Sequence, residues 1–129
     1  ALMSGLTVVA GSMRNATAVA RWVTGRFTSI GLVPTGEEWP DGAMRVCYED
    51  IIGAGAIAAG IADLGGETGM SPEVRASAAA FRARSSLVEV PSGRDLVDRG
   101  FADDVRLAEE LDADNVVPIL RNGRYVAAD

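Results

Sequence analysis

Five of the chain's eighteen acidic residues fall in one stretch, residues 35–60: Glu37, Glu38, Asp41, Glu49 and Asp50. Two or three converging carboxylates can hold a hard divalent cation, with water and a substrate phosphate completing the shell. The chain has no His and one cysteine, Cys47. A structural zinc site and a Ser-His-Asp triad therefore lack their ligands and base. Oxygen ligation leaves magnesium, manganese or calcium. Glu49 and Asp50 are adjacent, so on a helix their side chains diverge by about 100°. One of them can be a ligand while the other caps. The plainer alternative is that all five acids decorate a solvated loop and a helix start, where the helix dipole favours them.

A second candidate is GSMRNA, residues 11–16. A small polar turn between a strand and a helix offers free backbone N–H groups to an anion. Ser12 and Asn15 could add side-chain hydrogen bonds, and Arg14 could add charge. Against this stands simple capping by Ser12 or Asn15. Cys47 precedes a helix, where a thiolate is stabilised, but no His or Lys accompanies it, and a small core or loop residue is the better reading. The glycine loop GGETG lacks the Lys-Ser/Thr of a phosphate-binding loop and reads as a helix-ending turn. Arg45 could reach an anion or lie on the surface.

The elements that must position these residues read as follows. Residues 6–10, LTVVA, predict a buried parallel strand. A helix over residues 16–26 and a second strand over 28–33 complete a βαβ unit, whose crossover should be right-handed. Residues 34–46 form a loop. Residues 48–64 predict a helix opened by acids, and its Gly53, Gly55 and Gly60 each cost about 1 kcal/mol relative to Ala. Such a helix should be buried, its glycines allowing close backbone approach. Further helices are expected over 71–87, 92–100 (with a capping-box-like Ser92 and Asp95) and 103–111. A hairpin should turn at Asn122-Gly123, between residues 115–120 and 125–127. Pro118 confines its strand to an edge or sheet margin.

Composition bounds the function. A chain of 129 residues, 48% hydrophobic, suits one α/β domain or half of one. The net charge is −6 and every basic residue is Arg, which argues against a general nucleic-acid binder. The apolar run after Asp50 is too short and too rich in Gly and Ala to span a bilayer. No secretory signal is evident, and one cysteine excludes an internal disulfide. A cytoplasmic protein is the expectation. The strand-like start at residue 6 reads as the interior of a longer protein.

Three blocks, GSMRNATAVA, TGEEWPDG…YEDIIGAGAI and SGRDLVDRGFADDVRLAEELDADNVVPIL, together resemble the C-terminal half of the 2-phosphosulfolactate phosphatases. The third block is the most specific. The resemblance spans most of residues 5–126. It implies a three-layer α/β/α sandwich with a mostly parallel or mixed sheet and a C-terminal β-hairpin, part of a larger domain. It implies a magnesium-dependent hydrolase that converts 2-phospho-3-sulfolactate to sulfolactate and phosphate, a step in coenzyme M synthesis. The matching polar residues are Ser12, Asn15 and Gly36 for substrate, Glu37, Glu49 and Asp50 for Mg2+, and Asp50 with Glu49 for catalysis. Gly93 and Arg94 match as structural positions.

The family's N-terminal motifs, an Asp-Val-x-Arg-Ala-Ser/Thr turn among them, have no counterpart here. Many members also carry Cys where this sequence has Gly53. The chain by itself is therefore expected to be inactive, with its partners limited to a small phosphorylated acid. Homo-oligomer formation stays open. The competing class is a non-catalytic α/β binding or assembly module, a dimer through an uncovered strand edge. A closed core would favour that module, whereas an uncovered sheet edge and an incomplete acidic pocket would favour the phosphatase.

Overall fold

A computed structural model describes residues 5–129; residues 1–4, the first part of the stretch read for a secretory signal, lie outside the described residues. The fold is built on one helix. Helix α2 (Tyr48–Gly65) buries residues around most of its circumference, among them Ile52, Ala56, Ile57, Ala58, Ala59 and Ala62. An all-round apolar helix must be covered on several sides. Helix α1 (Ala16–Val23) covers one side and helix α3 (Pro72–Arg82) another. The glycines of α2 permit this. A Cβ on Gly55 would lie 2.3 Å from the Ser77 carbonyl oxygen on α3, and one on Gly60 would lie 2.8 Å from the Ala20 Cβ on α1.

Two shorter helices, α4 (Pro91–Asp98) and α5 (Ala102–Glu109), follow a 3-10 turn at Leu87–Glu89. Leu87 and Val105 join Met13, Val19, Val23, Ile52, Ile57, Val117 and Ile119 in one core. Ile52, 1% exposed, sits where truncation to Ala costs about 2–5 kcal/mol. Gly93 packs so tightly on the 3-10 turn that any Cβ would overlap the Leu87 carbonyl. This accounts for a glycine inside α4.

The parallel sheet and three-layer sandwich do not form. The described residues contain two small antiparallel hairpins, β1 (Glu37–Glu38) with β2 (Met44–Arg45), and β3 (Pro118–Arg121) with β4 (Arg124–Ala127). Residues 8–10 pair with β3, not with 28–33, and the pairing is antiparallel: Val9 lies opposite Ile119, and Ala10 N donates to Pro118 O at 2.9 Å. Among the described residues, 28–33 form no strand and have no strand partner, and Val33 is 80% exposed. Strand propensity is realised only against a neighbouring strand. Here helix-on-helix packing around α2 supplies the core that a sheet face was expected to supply.

Other expectations hold with changed ends. The hairpin turn at Asn122-Gly123 has φ of 52° and 76° at its two central residues, as a type I′ turn requires. Pro118 is the first residue of β3, where its missing N–H breaks no ladder bond. Helix α1 stops at Val23 rather than residue 26, and α3 at Arg82 rather than 87. Ser92 is not a cap: α4 begins at Pro91 after Val90, with no side-chain cap. Among the described residues no helix is long and apolar enough to cross a membrane.

Candidate functional site

The first turn of α2 gathers most of the predicted site residues. Cys47 precedes it in an extended conformation, and Glu49 and Asp50 lie in the first turn, where the positive end of the helix dipole favours them. Asp50 Oδ2 accepts a hydrogen bond from the Gly36 N–H at 2.8 Å. Gly36 has φ of +66°, and a Cβ there would lie 2.7 Å from the Arg45 carbonyl. Only glycine lets the chain turn at the foot of the β1–β2 hairpin and present its N–H to Asp50. Gly36 and Asp50, predicted as separate contributors, are thus one unit.

The neighbouring acids are each held by a different element. Glu37 Oε2 accepts from Arg45 Nη1 at 2.9 Å across the hairpin, and the Arg45 guanidinium lies 4.9 Å from the centre of the Trp39 ring. Glu49 Oε2 accepts from the Ser92 hydroxyl at 3.2 Å, at the start of α4. The Tyr48 hydroxyl accepts the Ser85 N–H at 3.0 Å. One helical turn therefore ties down the hairpin, α4 and the segment after α3. Glu38 and Asp41 stay exposed on the hairpin; Asp41 Oδ1 accepts the Ala43 N–H within the turn.

The 11–16 segment approaches the same helix one turn further on. A Cβ on Gly53 would sit 3.8 Å from Ser12 Cα, and Gly53 follows Glu49 by four positions, on the same helix face. Ser12 is exposed there. Asn15 is buried, and its amide is fully used within the chain. Its Oδ1 accepts the Ser12 N–H at 2.9 Å, and its Nδ2 donates to Val116 O at 3.0 Å and Ala10 O at 3.4 Å. Asn15 shapes the turn that presents Ser12. Arg14 points elsewhere: it donates to Asp114 Oδ2, Glu110 Oε2 and Leu107 O. Its pKa is raised, first by the hydrogen bond with Glu110.

Cys47 reports the local field. Its thiol pKa is pushed up, first by burial and then by the charges of Glu49, Glu37 and Asp50, with Arg45 opposing. A protonated, buried thiol is a poor nucleophile. The same three carboxylates thus act on one point of the structure, but through space. Among the described residues no three Asp, Glu, Cys or His side chains are grouped so as to hold a metal ion. What the first turn offers is a pair of hard carboxylates, each engaged through one oxygen and with the other oxygen free of protein hydrogen bonds among the described residues. Magnesium is commonly bound by one or two carboxylates, with water and phosphate as the remaining ligands. The donor chemistry fits such a partial set and not a complete protein cage.

Two residues were out of reach of the sequence reading. Local sequence suggests Ser92 as a cap, whereas its partner Glu49 lies 43 positions away. For Arg45 the sequence allows an anion contact or a surface position, and the structure makes it the clamp of Glu37. No local pattern encodes either pairing. Against this geometry, a family model described as 2-phosphosulpholactate phosphatase matches residues 2–123. No curated protein matches the chain.

Proposed function

Because the chain belongs to the 2-phosphosulpholactate phosphatase family, we propose that the first turn of α2 contributes to a magnesium-dependent phosphatase site for 2-phospho-3-sulfolactate, or a related small acidic phosphate ester, yielding sulfolactate and phosphate. The family match over nearly the whole chain carries this reading. The union of Gly36 and Asp50 beside Glu49 supports it. Glu37 on the adjoining hairpin, with Glu49 or Asp50, would hold the cation or orient water. When bound, magnesium supplies positive charge against the phosphoryl oxygens. The exposed Ser12 hydroxyl, one turn away, would donate to a phosphate oxygen. Asn15 and Ser92 act through others, Asn15 by fixing the Ser12 turn and Ser92 by orienting Glu49.

The ligand set of the first turn is incomplete among the described residues, and further polypeptide would complete it. The test therefore reads binding before turnover. Melting is followed with 2-phospho-3-sulfolactate and magnesium, together and separately. A ligand that binds only the folded state raises the melting temperature. The expected result is a rise that needs both components and is lost in Asp50→Asn. The Asn side chain can still accept the Gly36 N–H, so the hairpin foot survives while the charge is gone. No rise, or an equal rise in the variant, refutes the role of Asp50. Phosphate release in the same mixtures separates hydrolysis from binding.

A further inference from the structure

Residues Ala18, Arg21 and Trp22 of α1 border an open depression of about 510 Å3 whose other side is formed by residues 115–117 and 127–128. That volume lies within the range of small-molecule sites. Its lining includes Arg21, Trp22, Arg26 and Asn115, and no carboxylate residue. Among the described residues six of the twelve arginines, at positions 14, 45, 82, 99, 106 and 121, pair with an acid, and Arg21 and Arg26 are among the six that do not. A second depression, of about 380 Å3, also holds two arginines, but Asp98 shares its lining and its Arg106 already pairs with Asp103.

An independent observation singles out the same wall. Among the described residues the Trp22 Nε1–H is the sole buried side-chain polar atom without a hydrogen-bond partner. Buried donors are nearly always satisfied, and an exception calls for an acceptor. Arg26 lies over this ring, 5.0 Å from its centre, and donates through Nη1 to the Trp22 carbonyl at 2.9 Å. Ala18, Val117 and Ala128 supply an apolar floor.

We propose that this depression is a second ligand site, for a small organic oxyanion. Arg21 and Arg26 would grip its carboxylate or phosphate oxygens, Asn115 would add a donor, and its apolar part would rest on the floor. Guanidinium groups suit such oxyanions because their paired N–H groups match two oxygens at once. This site shares no residue with the α2 first turn.

The chain has two tryptophans, which makes the test direct. Trp22 lies in this depression and Trp39 lies on the β1–β2 hairpin beside Glu37. The two indole N–H resonances are followed by 15N–1H correlation spectra during titration with benzoate, and separately with inorganic phosphate, at constant ionic strength set with chloride. The expected result is a saturable shift of the Trp22 resonance while Trp39 stays still. Arg21→Gln, an exposed change with no partner to lose, should weaken that response at least about tenfold, as expected for loss of a charge-assisted contact. A linear response with either probe, an unchanged response in Arg21→Gln, or equal shifts at both tryptophans overturns the proposal. Arg26→Ala is a second variant: if it folds and still saturates like the parent chain, Arg26 has no part in the site and the proposal fails.

Discussion

Replacing Gly53 and Gly55 by Ala, one at a time, should move stability in opposite directions. Both sit inside α2, where Ala is favoured over Gly by about 1 kcal/mol because Gly loses more backbone freedom on folding. Their surroundings differ. The nearest atoms to a Cβ on Gly53 are Ser12 Cα at 3.8 Å and Met13 N at 3.9 Å, which is ordinary van der Waals contact. Gly53→Ala should therefore keep the full helix gain of about 1 kcal/mol, a rise of roughly 4 °C in Tm for a chain of this size. A Cβ on Gly55 meets the Ser77 carbonyl oxygen at 2.3 Å and Phe81 Cβ at 3.0 Å. The first of these is backbone and cannot swing away, so α2 and α3 must separate.

Overpacking of that kind costs about 3 kcal/mol, three times the propensity gain. The net loss in Gly55→Ala is then about 2 kcal/mol, or a fall of roughly 8 °C. Paired urea and thermal melts of both variants decide the matter. If Gly55→Ala is as stable as the parent chain, the close α2–α3 approach is wrong. If Gly53→Ala loses more than about 1 kcal/mol, the 11–16 turn packs on α2 more tightly than a 3.8 Å approach to Ser12 Cα allows. In that case Ser12 does not lie open beside Glu49.

Two further outcomes are expected. Cys47 is 3% exposed and its thiol pKa is raised by burial before any charge effect, so native-state alkylation by iodoacetamide should run at least about tenfold slower than in denaturant; equal rates would show that the loop before α2 is open. Glu73 has a lowered pKa, first through its own backbone N–H and then through the Ser71 hydroxyl. Its stabilising contribution is therefore fully present above the unfolded carboxylate value of about 4.3 and is lost as pH falls through the lower folded value. Melting of the parent and Glu73→Gln across this range should show a steeper acid loss in the parent, and parallel curves would dismiss the N-terminal anchoring of α3.

Much of the site was legible because its signals are local. The acids at the start of α2 follow from Glu49-Asp50 preceding an apolar run. The turn at Asn122-Gly123 follows from residues that accept positive φ. The burial of α2 follows from glycines that a solvent-exposed helix has no reason to keep. Chain order and composition also ruled out zinc, a serine triad and an internal disulfide without any coordinates.

Other features were decided by contacts between distant residues. Residues 28–33 carry a strand-like composition, yet composition does not supply a partner, and residues 8–10 pair with β3 instead. The expected βαβ unit and its parallel sheet fail on that one choice, because a strand is defined by its neighbour while a helix closes its own hydrogen bonds. The same distinction separates the site residues. That Asp50 and Glu49 open α2 was written in consecutive letters. That Asp50 holds Gly36, Ser92 holds Glu49 and Asn15 is wholly used inside the chain depended on backbone packing, since hydrogen bonds across 14, 43 and 101 positions leave no periodic trace in a single sequence.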